Sequence, residues 1–187
     1  MIHNLLPMKK LLQIFITFTF FFGTLSAAEK PLKGILITGG CCHDYAKQKN
    51  IISEGISKRV PVKWEIYFEM NQQKSKEYLS KKGWADPYDF VVWNHCFAHE
   101  ADTDFIGSLA AIHKEGKPAL ALHCAMHSYH WKVAQPKDGE KVWPAFLGVS
   151  SRGHGPKRQI KVTKVKGKED HPVIKDLPDG WTTPEGE

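Results

Sequence analysis

Three short apolar runs, each followed at once by polar residues, constrain the fold of this chain more than any other feature. The runs cover residues 34–38, 90–93 and 119–122. Because they are apolar at successive positions, they are typical of strands in a parallel sheet that is covered on both faces. Residues 62–68 alternate between apolar and polar side chains and predict one further strand. The order β-α-β-α-β-α-β-α predicts an α/β fold, with a parallel sheet and helices on both of its faces.

Helical patterns separate the predicted strands and complete this order. Asp102 or Thr103 caps the third helix, and Gly116 ends it. After Gln135 the pattern weakens: one more strand is predicted over residues 159–165, and no regular element follows it. We therefore expect a domain that is truncated at its C-terminus. The four helices are predicted over residues 49–58, 74–81, 103–115 and 123–133.

The first 28 residues have the pattern of a cleaved secretory signal peptide. Two lysines form a basic start, residues 11–22 are apolar, and residues 26–28 are the small residues Ser-Ala-Ala. The alternative is a membrane anchor, but residues 11–22 are short for a span of about 20 residues. We therefore expect a secreted or periplasmic protein with no membrane attachment after cleavage, and a single domain over residues 29–187.

The charge distribution gives no sign of a nucleic-acid partner. The formal net charge is +6 for the whole chain, and it falls to +4 without the two lysines of the signal peptide. The lysines are scattered and no arginine cluster is present, so the positive charge predicts a solvated surface. No later segment is apolar enough to span a bilayer, and the oligomeric state is left open.

Histidines follow the ends of all three apolar runs. His43 comes shortly after the first run, His95 after the second and His123 after the third. In open α/β sheets, ligands bind beyond the carboxyl ends of the strands. We therefore expect these imidazoles to meet at one edge of the sheet and to form a shared pocket.

The candidate catalytic residues are His43, Asp44, His123 and His154, and the three histidines are also candidate metal ligands. Asp44 stands beside His43 and would orient its ring, after a Gly-Gly turn that lets the backbone approach a ligand. His154 lies between two glycines and can therefore enter a cleft. Neutral imidazoles bind divalent metals such as Zn²⁺, which makes such an ion a candidate cofactor. The zinc-protease motif is absent.

Further residues are candidates for contacts with a substrate. Tryptophan offers an apolar ring face to a sugar, and Arg152 can hold an anionic or hydroxyl-rich ligand. His127 and His130 share a helix face with His123 if the predicted helix is correct. The predicted substrate contacts are Trp93, His95, Trp143 and Arg152.

The four cysteines all stand at predicted strand ends. Export favours disulfides, but we do not expect the neighbours Cys41 and Cys42 to bridge each other. Either Cys96 pairs with one of the other three, or the thiols stay free. Their spacing is not that of a zinc ribbon. A strand–nucleophile–helix elbow at the fourth strand would place the thiol of Cys124 at its tip.

The chain resembles the ThuA-like, or trehalose-utilisation, family. The segment GILITGGCCHD, residues 34–44, is similar to the opening strand and turn of that family. The segment ALHCA, residues 121–125, is similar to its Gly-Leu-His-Ala-Ala segment. The resemblance covers residues 33–187, and the order of its motifs makes it specific. The later motifs are Phe146-Leu147-Gly148, His154, Asp170-His171-Pro172 and Glu185-Gly186-Glu187.

The resemblance implies a three-layer, flavodoxin-like sheet similar to that of class I glutamine amidotransferases. Those enzymes carry Gly-x-Cys-x-Gly at the elbow. An ungapped match from Pro118 puts His123 at the nucleophile position and leaves Cys124 one residue out of register. Ala121 and Ala125 replace the two glycines. The resemblance therefore implies that this chain is not a glutamine amidotransferase.

The resemblance also implies a role in the use of trehalose or related disaccharides, including 3-keto derivatives made by a partner sugar dehydrogenase. A keto group acidifies the proton on the neighbouring sugar carbon, so a histidine base helped by a metal ion could drive isomerisation or elimination. Two alternatives stay open. One is a non-catalytic carbohydrate-binding module, and the other is a thiol enzyme that uses Cys124.

Overall fold

A computed structural model describes residues 30–129, 142–151, 153 and 155–183 of the 187-residue chain. Residues 31–187 form one compact unit. The predicted signal peptide lies outside the described residues and stays a prediction. Every helix in the described part of the chain is too short or too polar to cross a membrane.

Four parallel strands form the main sheet. Their order across the sheet is β2-β1-β3-β4, so the connection from β2 to β3 passes over β1. Successive strands are therefore added on one side of β1 first and then on the other side, as in doubly wound folds. The strands are β1 (Leu32–Gly40), β2 (Val62–Phe68), β3 (Phe90–Cys96) and β4 (Ala119–Ala121).

Helices connect these strands, and polar side chains cap three of them. The carboxylate of Asp102 accepts hydrogen bonds from the backbone amides of Asp104 and Phe105, each at 3.1 Å, and so caps the start of the third helix. Such caps satisfy amides that have no partner within the helix. Asp44 and Asn71 cap the first two helices in the same way. The helices are α1 (Tyr45–Ser57), α2 (Gln72–Leu79), α3 (Thr103–Lys114) and α4 (Val142–Leu147).

One face of the sheet carries the main hydrophobic core. Ile37 of β1 and Trp93 of β3 pack there with Leu79 of α2 and Leu109 of α3, and each is at most 2% exposed. Trp93 also donates its indole N–H to Nε2 of His113 at 2.9 Å, which satisfies its polar atom inside the core. α2 and α3 therefore cover this face.

The opposite face of the sheet is covered by α1. There the amide of Asn94 donates to the hydroxyl of Thr38 at 3.3 Å and to the side-chain oxygen of Gln48, in α1, at 3.2 Å. Side chains alternate between the two faces along each strand, so Asn94 points away from its neighbour Trp93. The α/β fold with a parallel, flavodoxin-like sheet and helices on both faces is confirmed.

The helix predicted over residues 123–133 does not form in the part that is described. A 3₁₀ helix spans His123–Met126 and a turn follows it. The hydroxyl of Ser128 accepts the amide of Phe97 at 3.0 Å and donates to the carbonyl of His95 at 2.9 Å. These bonds tie the segment to the end of β3, and Tyr129 adopts a left-handed φ of 60°. An α-helix cannot satisfy both constraints.

A second, small sheet lies in the C-terminal part of the unit. The strand predicted over residues 159–165 is only β5 (Lys161–Thr163), and it pairs antiparallel with β6 (Gly180–Thr182). The expectation that no regular element follows β5 is therefore wrong. β6 escapes sequence prediction because its three exposed residues have no periodicity to read.

Candidate functional site

Two glycines bring the first loop across the carboxyl edge of the sheet. Gly39 and Gly40 have positive φ values of 137° and 93°. A Cβ atom at Gly39 would clash with the carbonyl oxygen of Glu69, and one at Gly40 with that of Cys96. Only glycine tolerates both the backbone conformation and the close approach. The loop after β1 therefore passes close to the end of β3 and places His43 at the carboxyl edge of the sheet.

His123 occupies a sharp turn at the end of the fourth strand. It is the first residue of the 3₁₀ helix, and its φ of 43° lies in the left-handed region that non-glycine residues seldom adopt. A strained residue between a strand and a helix presents its side chain at the top of the sheet, as the nucleophile elbow does in α/β-hydrolases. The side chain of His123 is exposed there.

His43, His123 and Cys124 meet at this edge and form what we call the histidine–thiol centre. Nε2 of His43 lies 3.0 Å from Sγ of Cys124. The rings of His43 and His123 are in edge-to-face contact, with 4.9 Å between their centroids. The predicted convergence of these two imidazoles is therefore confirmed, while their catalytic role stays a prediction.

The histidine–thiol centre opens into a pocket with a volume of about 210 Å³. Ligand pockets commonly span about 300–1,000 Å³, so this one is small and has room for about one ring-sized group. The amide groups of Gln48 and Asn94 add hydrogen-bonding atoms to a largely apolar lining. The lining residues are His43, Tyr45, Gln48, Ile51, Ile52, Asn94, Leu122, His123 and Cys124.

Tyr45 packs against His43. Its ring is 1% exposed and contacts the imidazole of His43 edge-on, with 5.9 Å between the centroids. Burial, together with the thiols of Cys124 and Cys96 nearby, raises the pKa of the Tyr45 hydroxyl above its usual value. The hydroxyl therefore stays protonated and has no hydrogen-bond partner among the described residues.

A group of thiols, which we call the cysteine cluster, lies beside this centre. Sγ of Cys41 is 3.6 Å from Sγ of Cys96, and Cys42 completes the group. No disulfide joins any of the four cysteines, all of which lie in the described part of the chain. A hydrogen bond with Cys41, and then burial, raises the pKa of Cys42 to about 12. Cys96 packs with Cys124 in one buried cluster, so the two groups of side chains are in contact. The hydrogen bond with Cys124 is the largest cause that raises the pKa of Cys96, and burial is the next.

The histidine–thiol centre has the donor atoms that zinc prefers. Its two imidazole nitrogens and one sulfur all lie within 4.8 Å of one another. Catalytic zinc sites use three such protein ligands and keep one position open. His43 and His123 were predicted as ligands, whereas His154 lies outside the described residues. Cys124 was missed as a ligand because the ungapped match placed it out of register.

The remaining predicted site residues lie elsewhere. Asp44 caps α1, since its carboxylate accepts a hydrogen bond from the backbone amide of Lys47 at 3.0 Å, and its role of orienting His43 stays a prediction. Trp93, His95 and Trp143 are at most 1% exposed and pack in the main core, so they do not line the pocket. They are packing residues rather than contacts for a substrate.

The other histidines beyond β4 do not extend the site. His127 is 3% exposed and its Nδ1 lies 3.2 Å from the carbonyl oxygen of Ser151, so it does not share a face with His123. His130 and Arg152 lie outside the described residues, as His154 does.

Comparison with known proteins supports the fold. No protein-family model and no curated protein matches the chain. Among solved structures, a protein from Bacteroides uniformis that was provisionally named ThuA-like has a similar fold, with a TM-score of 0.52 and 17% sequence identity. The likeness shows the fold alone. The match covers 84% of this chain but spans only 60% of the other protein.

Proposed function

We propose that this chain is a carbohydrate-processing enzyme related to the ThuA-like family, with the histidine–thiol centre as its catalytic site. The observation that carries the proposal is the meeting of His43, His123 and Cys124 in the lining of one pocket. Ligands of doubly wound folds bind at this carboxyl edge. The family resemblance of the sequence suggests the substrate class, and the likeness to the solved ThuA-like protein supports the fold alone.

The proposed substrates are trehalose-type disaccharides or their 3-keto derivatives. Since the pocket of about 210 Å³ accepts one ring, the second ring would remain outside it. Gln48 and Asn94 would orient the hydroxyl groups of the bound ring. A sugar dehydrogenase would supply a keto sugar, and both proteins would act in the periplasm or outside the cell.

His43, His123 and Cys124 would hold a divalent metal ion, with zinc as the best match to their donor atoms. Such an ion polarises a carbonyl oxygen or lowers the pKa of a bound water. Cys124 fixes the position of the His43 ring through the contact of 3.0 Å. His123, exposed on its strained turn, would be the ligand nearest to the substrate.

The test is metal analysis of the purified protein together with turnover of a panel of disaccharides and keto sugars. We expect a stoichiometric divalent metal, activity that a chelator abolishes, and loss of both in His123→Ala. The matched control is His99→Ala, because His99 is exposed and does not line the pocket. Sugar binding without turnover and without metal would instead indicate a carbohydrate-binding module.

The contact between Cys124 and His43 supports a second candidate, a thiol enzyme of the class I glutamine amidotransferase-like superfamily. In that case Cys124→Ser abolishes turnover, while a chelator and His123→Ala leave most of it. The first candidate predicts the opposite response to the chelator. Because Cys124 is 4% exposed and the exposed elbow residue is His123, we favour the metal-assisted enzyme.

A further inference from the structure

The cysteine cluster has no part in the chemistry proposed above. The sulfur atoms of Cys41, Cys42 and Cys96 all lie within 4.8 Å of one another. Cys96 is 2% exposed, whereas Cys41 and Cys42 are exposed. Three thiols from two separate segments therefore lie close together. The cluster is accessible to solvent on the side of Cys41 and Cys42.

The backbone holds these thiols together. The amide of Cys41 donates to the carbonyl of Cys96 at 3.2 Å, which locks the loop after β1 to the end of β3. Cys42 has a φ of 85°, in the left-handed region that non-glycine residues seldom adopt. Strain of this kind is concentrated at ligand sites. The strained turn lets both neighbouring thiols approach Cys96.

The distance between two of the sulfur atoms is close to that between two thiolate ligands of one metal ion. A zinc–thiolate bond is about 2.3 Å long, so two thiolates on one tetrahedral ion lie about 3.8 Å apart. Cys41 and Cys96 are 3.6 Å apart, near this value. A disulfide needs about 2.05 Å and a defined dihedral angle. The Cys41–Cys96 pair therefore already has the spacing of two thiolates on one ion, and Cys42, within 4.8 Å of both, can complete the set.

We propose that Cys41, Cys42 and Cys96 form a second metal site, which binds a thiophilic d¹⁰ cation, Cu⁺ or Zn²⁺, through three thiolates. Thiolates select these ions over magnesium or calcium. Each thiol gives its proton to the solvent as its sulfur binds, and no electron is transferred. The exposed Cys41 and Cys42 provide the entry path, and the buried Cys96 closes the site from inside.

The test loads the reduced full-length protein, without oxygen, with Cu⁺ in one arm and Zn²⁺ in the other. X-ray absorption counts the sulfur ligands, and competition with a chelator gives the affinity. We expect three sulfurs around the ion in His123→Ala, which lacks a ligand of the other centre. The arm with the higher affinity identifies the cation.

The decisive variant is Cys42→Gly, because glycine favours the left-handed backbone and so retains the fold while it removes the thiol. We expect it to lose one sulfur ligand and about tenfold or more in affinity. Cys41→Ser should give the same loss. Unchanged affinity in both variants, or no thiolate-bound ion in the reduced His123→Ala protein, would refute this site. The proposed enzyme function is tested separately, by chelator-sensitive turnover and by the loss of turnover in His123→Ala. A failure of that function would therefore not alter the result for the cysteine cluster.

Discussion

Nε2 of His43 lies 3.0 Å from Sγ of Cys124, although 81 positions separate the two residues in the chain. Parallel strands make this possible. β1 and β4 both end at the carboxyl edge of the sheet, with only β3 between them. The loop after one strand therefore reaches the elbow after the other, and an imidazole and a thiol share one pocket.

The first prediction concerns the third ligand of the histidine–thiol centre. Cys124→Ala removes the sulfur donor and leaves His43 and His123 without a fixed geometry. We expect zinc affinity to fall by about a hundredfold or more, since even outer-shell partners are worth 10–100-fold. Isothermal titration of the apo-protein measures this. His99→Ala is the control, because His99 is exposed and does not line the pocket, and an equal loss of zinc there would mean that the effect does not belong to the histidine–thiol centre.

The sheet was predictable from sequence because buried strands leave a strong pattern. β2 was predicted with the observed bounds, Val62–Phe68, and β1, β3 and β4 were placed within a few residues. The start of α3 was equally clear, since a carboxylate at Asp102 is a strong capping signal. These features depend on local chemistry that a single sequence contains.

The error over His95 follows from the predicted end of one strand. Residues 90–93 were expected to be the whole strand, but β3 continues to Cys96. Side chains two residues apart in a strand lie on the same face of the sheet, so His95 lies in the core on the same face as Trp93. Asn94 alternates to the other face and lines the pocket. Because the predicted end of the strand was three residues too early, the core residue His95 was predicted to lie in the site in place of Asn94.

The second prediction tests the glycine turn that forms the site. In Gly40→Ala the new Cβ meets the carbonyl of Cys96, and the φ of 93° strains any side chain. We expect a loss of at least about 2 kcal/mol in the free energy of unfolding. Urea denaturation measures it. Gly55→Ala, in α1 with open space around it, should instead stabilise by about 0.5–1 kcal/mol.

The third prediction concerns the ion pairs between α2 and the start of α3. Nζ of Lys76 lies 3.1 Å from Glu100 and 2.8 Å from Asp102. Glu100 is 7% exposed, so Lys76→Met leaves a buried carboxylate without its cation. We expect the free energy of unfolding to fall by about 1–3 kcal/mol.

Two variants decide whether that loss comes from Glu100. Adding Glu100→Gln to Lys76→Met removes the uncompensated charge and should restore part of the stability. Lys74→Met, at an exposed position on the same helix, should change little. If Lys74→Met costs as much as Lys76→Met, the effect belongs to the helix and not to the ion pair.

The last prediction is a pH dependence of stability that originates in the core. His95 is 0% exposed among Trp93, Phe97, Tyr129 and Trp143. Burial lowers the pKa of His95 to about 3, from an ordinary value of 6.5. The unfolded chain therefore takes up a proton near pH 6.5 that the folded chain does not accept until about pH 3. Stability is fully present above pH 6.5 and falls as the pH decreases towards 3.

The expected slope from this one residue is about 1.4 kcal/mol for each pH unit below 6. Urea denaturation at a series of pH values measures it. His95→Phe keeps an aromatic ring in the core and removes the titrating group, so the slope should become shallower by this amount. His99→Gln removes an exposed histidine and should leave the slope unchanged. A slope that His95→Phe does not alter would mean that other groups set the acid sensitivity of the fold.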